Sequence, residues 1–421
     1  MANYHEHPVE DDLLACILGR DNLIRALKQV ERNGGSAGID GMTVRELRPF
    51  LKQQWSRNKE SLLNGTYRPK PVKRVEIPKA GGGTRKLGVP TVLDRFIQQA
   101  ILQVLQKIWD PKFSNNNYGF RPGRNAHQAV HQAQRYIKRG YTWVVDIDLE
   151  KFFDRVNHDL LMSKVRKHVH GRRLLRLINQ YLQSGVLIGD KLHATPEGTP
   201  QGGPLSPLLA NIILDGLDRE LEKRGHRFVR YADDCNIYVR SQRSAGRVLR
   251  SISRFLISKL RLKVNKAKSA IGRPWERQFL GFSFSRTLKR CLSEKSLKRF
   301  KTRIREISYR TRGRTLRRII EELRKYLQGW YGYYQFIEIR GILKELDSWI
   351  RRRLRCYMWK QWGRRGYREL RNRGVSQNFA WNTAKSAHGP WRLSRSPALS
   401  IALPGRYFDS MGLPRLKVKT T

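Results

Sequence analysis

Cysteine is scarce in this chain, with four among 421 residues. Cys16, Cys235, Cys291 and Cys356 are scattered with no short spacing, which excludes a C-x-x-C zinc module and argues against a disulfide framework. No apolar run approaches the roughly 18 residues a spanning helix needs, so no membrane partner is expected. Met1 to Asp12 is polar and partly acidic, without the basic-then-apolar order of a secretory signal; a cytoplasmic protein is the simplest expectation. Acid is scarce as well. Against 85 Lys+Arg stand 35 Asp+Glu, for a formal net charge of +50. No ordinary enzyme on small substrates needs that surplus. It is the electrostatic footprint of a polyanion partner, and with a membrane set aside nucleic acid remains. Arg286 to Thr421, about a third of the chain, holds 26 of the 50 net charges.

Among the acids, two groups stand out. Tyr231-Ala232-Asp233-Asp234 lies between the β-rich runs Phe228 to Tyr231 and Asn236 to Val239, a pattern that predicts a hairpin with both acids at its tip. Adjacent carboxylates repel, and a fold keeps them together when something compensates. Two divalent cations do so, with oxygen ligands favouring Mg²⁺, and such a pair is the machinery of nucleotidyl transfer. A turn with two solvated acids is the competing explanation. The second lies in Trp143-Val144-Val145-Asp146-Ile147-Asp148, an apolar, β-branched run that predicts a strand. Alternation puts Asp146 and Asp148 on one face of it. Between the two lies Glu197 to Asn211, a Pro/Gly-punctuated loop running into an apolar helix. Its glycines allow close backbone approach to a ligand, and its helix start offers free N–H groups to an anion.

Around these blocks the periodicity predicts helices over Asp11 to Glu31, Val44 to Leu63, Thr91 to Ile108 (with Asp94-Arg95 as an exposed pair), Asn125 to Arg139, His158 to Gly185 with a break near Gly171, and Ser244 to Leu260. Tyr67 to Leu87 reads as a two-stranded hairpin. Beyond Arg286 come Arg-rich amphipathic helices interleaved with aromatic clusters around Trp330 and Trp349. Most of these rings are expected to pack in a bundle and the exposed ones to stack on bases, while the arginines track phosphates. From Arg364 on, Gly, Pro and Ser interrupt the pattern, and a loosely structured basic tail is expected. His127, His131, His158, His168 and His170 have no matching Cys/His set and are read as structural or surface residues.

Taken in order, the blocks Gly34 to Gly41, Ile77 to Pro90, Tyr118 to His127, the Asp148 strand, the Gln201 loop, the Tyr231 hairpin and Phe279-Leu280-Gly281-Phe282 resemble the bacterial group II intron-encoded reverse transcriptases, also called maturases. The likeness runs over nearly the whole chain and is greatest to the compact class C type, which lacks the optional endonuclease module. The resemblance implies an α+β right-hand polymerase, with fingers and an antiparallel palm sheet followed by an all-α thumb. Its divisions would be an N-terminal extension and start of fingers over 1–75, fingers and palm over 76–285, a maturase-specific thumb over 286–365, and a nucleic-acid-binding tail over 366–421.

By that resemblance Asp148, Asp233 and Asp234 are the catalytic metal ligands for two Mg²⁺ ions, and Asp146 is an outer or structural acid. Phe153 is the steric gate under the sugar. Lys79 and Arg85 bind the triphosphate, Gln201 sits beside the incoming nucleotide, and Arg121 and Lys263 complete the nucleotide-binding set. Arg124, Asn125 and Asn265 lie along primer or template, and Leu280-Gly281 form a primer grip in which a missing side chain admits the backbone. Arg351, Arg352, Arg353 and Arg355 are expected to bind RNA from the thumb. The implied partners are a group II intron RNA, an RNA template with a DNA primer, target DNA and dNTPs. Without an endonuclease, priming would use a nick or a nascent strand. Two alternatives stay open: a related polymerase used in host DNA repair, and an RNA-binding splicing cofactor without polymerase activity.

Overall fold

The computed structural model describes residues 12–78, 83–311 and 313–416, and the chain divides into two compact units at Arg277 and Gln278. The first unit is α+β. Its strands are β1 (Val72–Pro78), β2 (Thr84–Val89), β3 (Trp143–Ile147), β4 (Val186–Ile188), β5 (Lys191–His193), β6 (Arg227–Tyr231), β7 (Asp234–Val239) and β8 (Ala270–Gly272). One sheet has the order β2-β1-β4-β5, and its β1–β2 hairpin is the element read from Tyr67 to Leu87. The other has the order β6-β7-β3-β8, antiparallel throughout. β3 occupies an inner position because Val144, Val145 and Ile147 can be buried on both faces.

Helices Val92–Trp109, Ser206–Lys223 and Gln242–Leu260 contribute Phe96, Ile97, Ile101, Leu105, Leu209, Ile213, Leu217, Ile252 and Leu256 to one continuous core with β3, β6 and β7. The Val92–Trp109 helix starts at Thr91, whose hydroxyl accepts from the Asp94 backbone N–H at 3.1 Å. Asp94 is not the exposed residue expected. It is 1 % exposed and accepts from the Tyr67 hydroxyl and the Lys70 N–H, so its charge fastens the entry to β1. The helix read over Asp11 to Glu31 is two helices, Asp12–Ile17 and Arg20–Asn33, separated at Gly19.

The second unit has one short hairpin, β9 (Phe282–Phe284) with β10 (Arg290–Leu292), and is otherwise helical. Of its three long helices, Glu294–Ile307, Leu316–Tyr334 and Gly341–Trp362, the first two pack aromatic on aromatic. The Trp330 ring centroid lies 4.3 Å from Phe300 and 4.9 Å from Tyr334. The stretch expected to be a loose tail is folded. Helices Gly366–Asn372, Gln377–Lys385, Pro390–Leu393, Pro397–Ala402 and Gly405–Ser410 bury Leu370, Val375, Ala380, Ala398, Leu399 and Phe408 completely. Helices this short show less than three turns of periodicity, which hides them in a sequence. Among the described residues, no helix is long and apolar enough to cross a membrane.

Candidate active site

The β3–β7 register brings the two groups of acids together. Asp146 pairs with Asn236 and Ile147 with Cys235; one further step sets Asp148 opposite Asp234. Directly opposed residues of an antiparallel pair share a face, so Asp146, Asp148, Asn236 and Asp234 form one polar patch on an otherwise apolar sheet. Asp233 follows Ala232 in the two-residue turn between Tyr231 and Asp234. Asp148 is held by its backbone. Its N–H donates to Ser269 Oγ at 2.9 Å, and its carbonyl accepts from the Asn265 N–H at 2.9 Å. Among the described residues its carboxylate has one ion-pair partner, Lys268 Nζ at 4.0 Å.

The acids raise one another. Burial, then repulsion from Asp146, Asp233 and Asp148, pushes Asp234 well above the usual carboxylate range. Burial and the Asp148 charge push Asp233 up, against the pull of Arg85. Asp146 is also pushed up by burial, but Arg277 donates to its Oδ2 at 2.7 Å and opposes the shift. Asp146 is therefore neutralised by the protein, whereas among the described residues Asp233 and Asp234 have no ion pair. Among the described residues no three His, Cys, Asp or Glu groups stand close enough to share one ion. The Asp233 and Asp234 carboxylates nonetheless suit hard divalent cations, because their donors are oxygens and no ion pair among the described residues neutralises them.

The turn beneath these acids is strained and braced. Ala232 has φ +58°, which costs a residue with a Cβ roughly 1 kcal/mol. Its carbonyl accepts from Arg230 Nη1 at 2.9 Å. Arg230 is completely buried and forms a bidentate pair with Asp218, at 2.7 and 2.6 Å; it also donates to Asn211 Oδ1 at 3.0 Å. Asn211 in turn donates to the Gly119 carbonyl at 2.8 Å. A Cβ on Gly119 would fall 2.2 Å from the Ala232 nitrogen, so only glycine lets that loop lie against the turn. The Arg230–Asp218 brace was missed in the sequence. Its signal is an arginine at every-other spacing from Phe228 in an apolar strand, where a surface position would be expected to alternate. The Arg277–Asp146 pair spans 131 positions and has no sequence signal.

Phe153 and Gln201 line one cleft of about 450 Å³ together with Arg74, Lys86 and Lys151. The Phe153 carbonyl accepts from the Thr199 N–H and the Gln201 carbonyl from the Gly88 N–H, which ties the Gln201 loop to both β2 and the segment after Asp148. Arg85 pairs with Ile77 across the β1–β2 hairpin and so points to the opposite face from Lys86. Lys79 lies outside the described residues. Arg74, Lys86 and Lys151 were not singled out from the sequence, since basic residues are everywhere in it.

Several other expectations change. Arg121 is not free to meet a nucleotide: its side chain is 5 % exposed, pairs with Asp110 at 2.7 Å and donates to the Ser114, Asn117 and Asp110 carbonyls. Asn125 caps the Ala126–Lys138 helix in a reciprocal box with Gln128. Arg124 donates twice to Asn115 and lies over the Tyr118 ring. Lys263 is exposed and pairs with Glu150 at 3.1 Å, while the Asn265 side chain accepts from the Ala267 N–H. In the second unit, the missing side chain of Gly281 admits protein rather than a primer backbone. A Cβ there would meet the Tyr334 hydroxyl at 2.6 Å and Ser296 Oγ at 3.0 Å, and the Leu280 carbonyl accepts from the Tyr333 hydroxyl. The four thumb arginines are internal ties. Arg351 is buried and pairs with Asp347 and Asp409. Arg352 covers Trp391 at 3.7 Å and donates to its carbonyl. Arg353 donates to Ser308 Oγ and Arg355 to the Leu403 carbonyl. Last-turn carbonyls and hydroxyls without other donors attract guanidinium forks, and a run of arginines on one helix supplies them.

Comparison with known proteins follows the same division. Residues 77–284 match the family described as reverse transcriptase (RNA-dependent DNA polymerase), and residues 297–374 match the group II intron maturase-specific domain. The chain thus carries a reverse-transcriptase domain followed by a group II intron maturase-specific domain, and is homologous to group II intron-encoded proteins. The group II intron-encoded protein LtrA of Lactococcus lactis subsp. cremoris is 38 % identical over 40 % of this chain and 28 % of its own length. Protein YkfC of Escherichia coli (strain K12) is 38 % identical over 44 % of this chain and 50 % of its own. The putative COX1/OXI3 intron 1 protein of Saccharomyces cerevisiae is 27 % identical over 64 % of this chain and 32 % of its own. The matches thus span half the length of these relatives or less. Among solved structures, a partial Cas6-RT-Cas1–Cas2 complex aligns at 28 % identity over 61 % of this chain and 46 % of that one, with a TM-score of 0.38.

Proposed function

We propose that the chain is an RNA-directed DNA polymerase that also binds a group II intron RNA, promotes its splicing and copies it into DNA at a target site. The observation that carries the reading is the cluster of Asp148, Asp233 and Asp234, in which Asp148 meets only a distant, exposed Lys268 at 4.0 Å and the other two have no ion pair among the described residues, beside a fourth acid that Arg277 does neutralise. In it Asp148 and Asp233 would hold two Mg²⁺ ions, with Asp234 the less direct ligand, and ions held there would supply activation of a primer 3′-hydroxyl and charge neutralisation for a triphosphate and its pyrophosphate leaving group. The chain's own residues position the rest. Arg230 fixes the turn that carries Asp233, and Arg277 keeps Asp146 from competing with Asp148 for a cation. Phe153 seats against the sugar of an incoming dNTP, Gln201 lies beside it, and Arg85, with Lys79, supplies fixed positive charge to the triphosphate. The maturase-specific match over 297–374 supports the RNA partner.

Primer extension on an RNA template with a DNA primer, dNTPs and Mg²⁺ tests the polymerase. Asp233→Ala abolishes extension while RNA binding persists; unchanged cDNA synthesis sinks the assignment. Sequencing the RNA that accompanies the native protein at moderate salt tests the maturase role. One dominant lariat supports it. A mixed pool that washes off as salt rises rejects it in favour of a repair polymerase.

A further inference from the structure

A cavity of about 460 Å³ lies within the second unit, away from every residue used above for catalysis. Arg305, Arg310 and Arg353 line it, with Tyr309, Trp349 and Trp391 as its aromatic walls. Trp349 and Arg353 stand one turn apart on the Gly341–Trp362 helix, a spacing that places them side by side. The guanidinium carbons of Arg305 and Arg353 lie 5.7 and 5.4 Å from the Trp349 ring centre.

The charge of this cavity is unbalanced. No carboxylate lines it, and among the described residues none of the three guanidiniums has an ion pair. Arg353 donates to Ser308 Oγ at 2.8 Å, and Arg310 Nη1 reaches the Cys356 sulfur at 3.8 Å. Burial, together with the Arg305 and Arg310 charges, holds Arg353 below its ordinary value despite the opposing pull of Cys356. Elsewhere in the same unit, paired arginines are common: Arg351 has two carboxylates and Arg415 has one. Three unpaired cations in one hollow call for an anion. The rings say more. Trp391 is 38 % exposed and Tyr309 58 %; Arg352 covers one face of Trp391, and the exposed ring surface beside the cations is apolar. The Cys356 thiol is buried and pushed up by that burial, so it stays protonated at neutral pH and the cavity is suited to binding rather than covalent chemistry. Its volume is in the range of small-ligand sites.

We infer that this cavity takes a single unstacked nucleotide, with its base against the indole rings and its phosphate on Arg305, Arg310 and Arg353. Two sources share this chemistry: a nucleotide turned out of a bound RNA, which rests on the RNA partner proposed above, and a free nucleotide.

Calorimetric titration of the full chain with AMP, adenosine and inorganic phosphate tests it. AMP is expected to bind about tenfold more tightly than either fragment, since a stacked base and a charge-assisted phosphate contact each contribute on that scale. Arg305→Ala with Arg310→Ala lowers AMP affinity to that of adenosine. Trp391→Ala weakens AMP about tenfold and leaves phosphate unchanged, whereas Trp391→Phe, which keeps a ring, retains binding and controls for folding. AMP that binds no better than phosphate, or binding indifferent to Trp391→Ala, overturns the inference. Photo-crosslinking of bound oligo(A) RNA then separates the sources. A crosslink on the Trp391 peptide assigns the nucleotide to RNA; AMP binding without it assigns the cavity to a free nucleotide. A chain that binds AMP here but no RNA refutes the maturase reading and leaves this inference standing. A chain that binds RNA but not AMP, with the double variant indistinguishable from wild type, refutes this inference alone.

Discussion

Removing Arg277 tests the electrostatic design of the acid patch. Its guanidinium lies 2.7 Å from Asp146 Oδ2, with side chains 25 % and 17 % exposed. Breaking a buried pair by deleting the cation typically costs about 3–5 kcal/mol. Partial exposure of both groups discounts that to about 2–3 kcal/mol for Arg277→Gln. Asp146→Asn leaves behind a cation that can turn to solvent, at about 1 kcal/mol. The double variant has neither charge and is expected within about 1 kcal/mol of wild type, giving a coupling of about 2–4 kcal/mol. Hydrogen exchange of the β3 amides, Trp143 to Ile147, reads this locally. The pH dependence has a definite sign. Asp146 is raised in the fold, and loss of Arg277 raises it further. The folded state of Arg277→Gln then holds a proton that the unfolded state has released, so β3 stability falls as pH rises above the ordinary carboxylate value and through the raised one. The deficit of Arg277→Gln is therefore smaller near pH 5 than near pH 8. Single effects that add to within about 0.5 kcal/mol, or a deficit independent of pH, would refute the reasoning.

Asp234 carries the same sign more strongly, because it is raised well above its ordinary value. Without Mg²⁺, Asp234→Asn is expected to stabilise the protein at neutral pH and flatten the loss of stability with rising pH, while abolishing primer extension; a destabilised metal-free variant in denaturant titration contradicts this. Gly119→Ala drives a Cβ to 2.2 Å from the Ala232 nitrogen and is expected to slow single-turnover primer extension at least about tenfold, since a misplacement near 1 Å in a reacting site has effects of that order or larger. A wild-type rate would mean that the turn yields freely. Asp218→Ala leaves Arg230 buried without its carboxylate and costs about 3–5 kcal/mol by urea unfolding of the first unit; a loss under about 1 kcal/mol shows that Asn211 and the Ala232 carbonyl suffice.

The palm was legible because its signals are local. β-branched runs, a two-residue turn and strict alternation specify β3, β6 and β7, and alternation alone puts Asp146 with Asp148. Their union with Asp234 was legible only as a pairing of two strands, whose register the sequence does not state. What holds the site was hidden for a different reason. Arg230, Asp218 and Asn211 belong to one strand and one helix, and Arg277 lies beyond the last palm strand, so their partnership exists only after folding. Asn125 illustrates the converse. It stands at a helix start, where a polar side chain is needed to satisfy N–H groups, and that need accounts for it before any ligand does.

Charge was the strongest single signal, and it misled residue by residue. A surplus of +50 points to a polyanion, since it is a sum over the molecule. It does not say which arginines face outward. Arg121, Arg230 and Arg351 are buried in ion pairs, and Arg352, Arg353 and Arg355 tie one helix to its neighbours. A planar guanidinium with five donors satisfies several carbonyls at once, so a basic chain short of acid builds its own interior from the residue it has most of. The arginines that matter for an outside anion are those the fold leaves without a carboxylate or a carbonyl. In the second unit Arg305 and Arg310 meet that condition beside partly exposed aromatic rings, and Arg353 joins them with a hydroxyl partner in Ser308 but no carboxylate, whereas Arg351 is held by two.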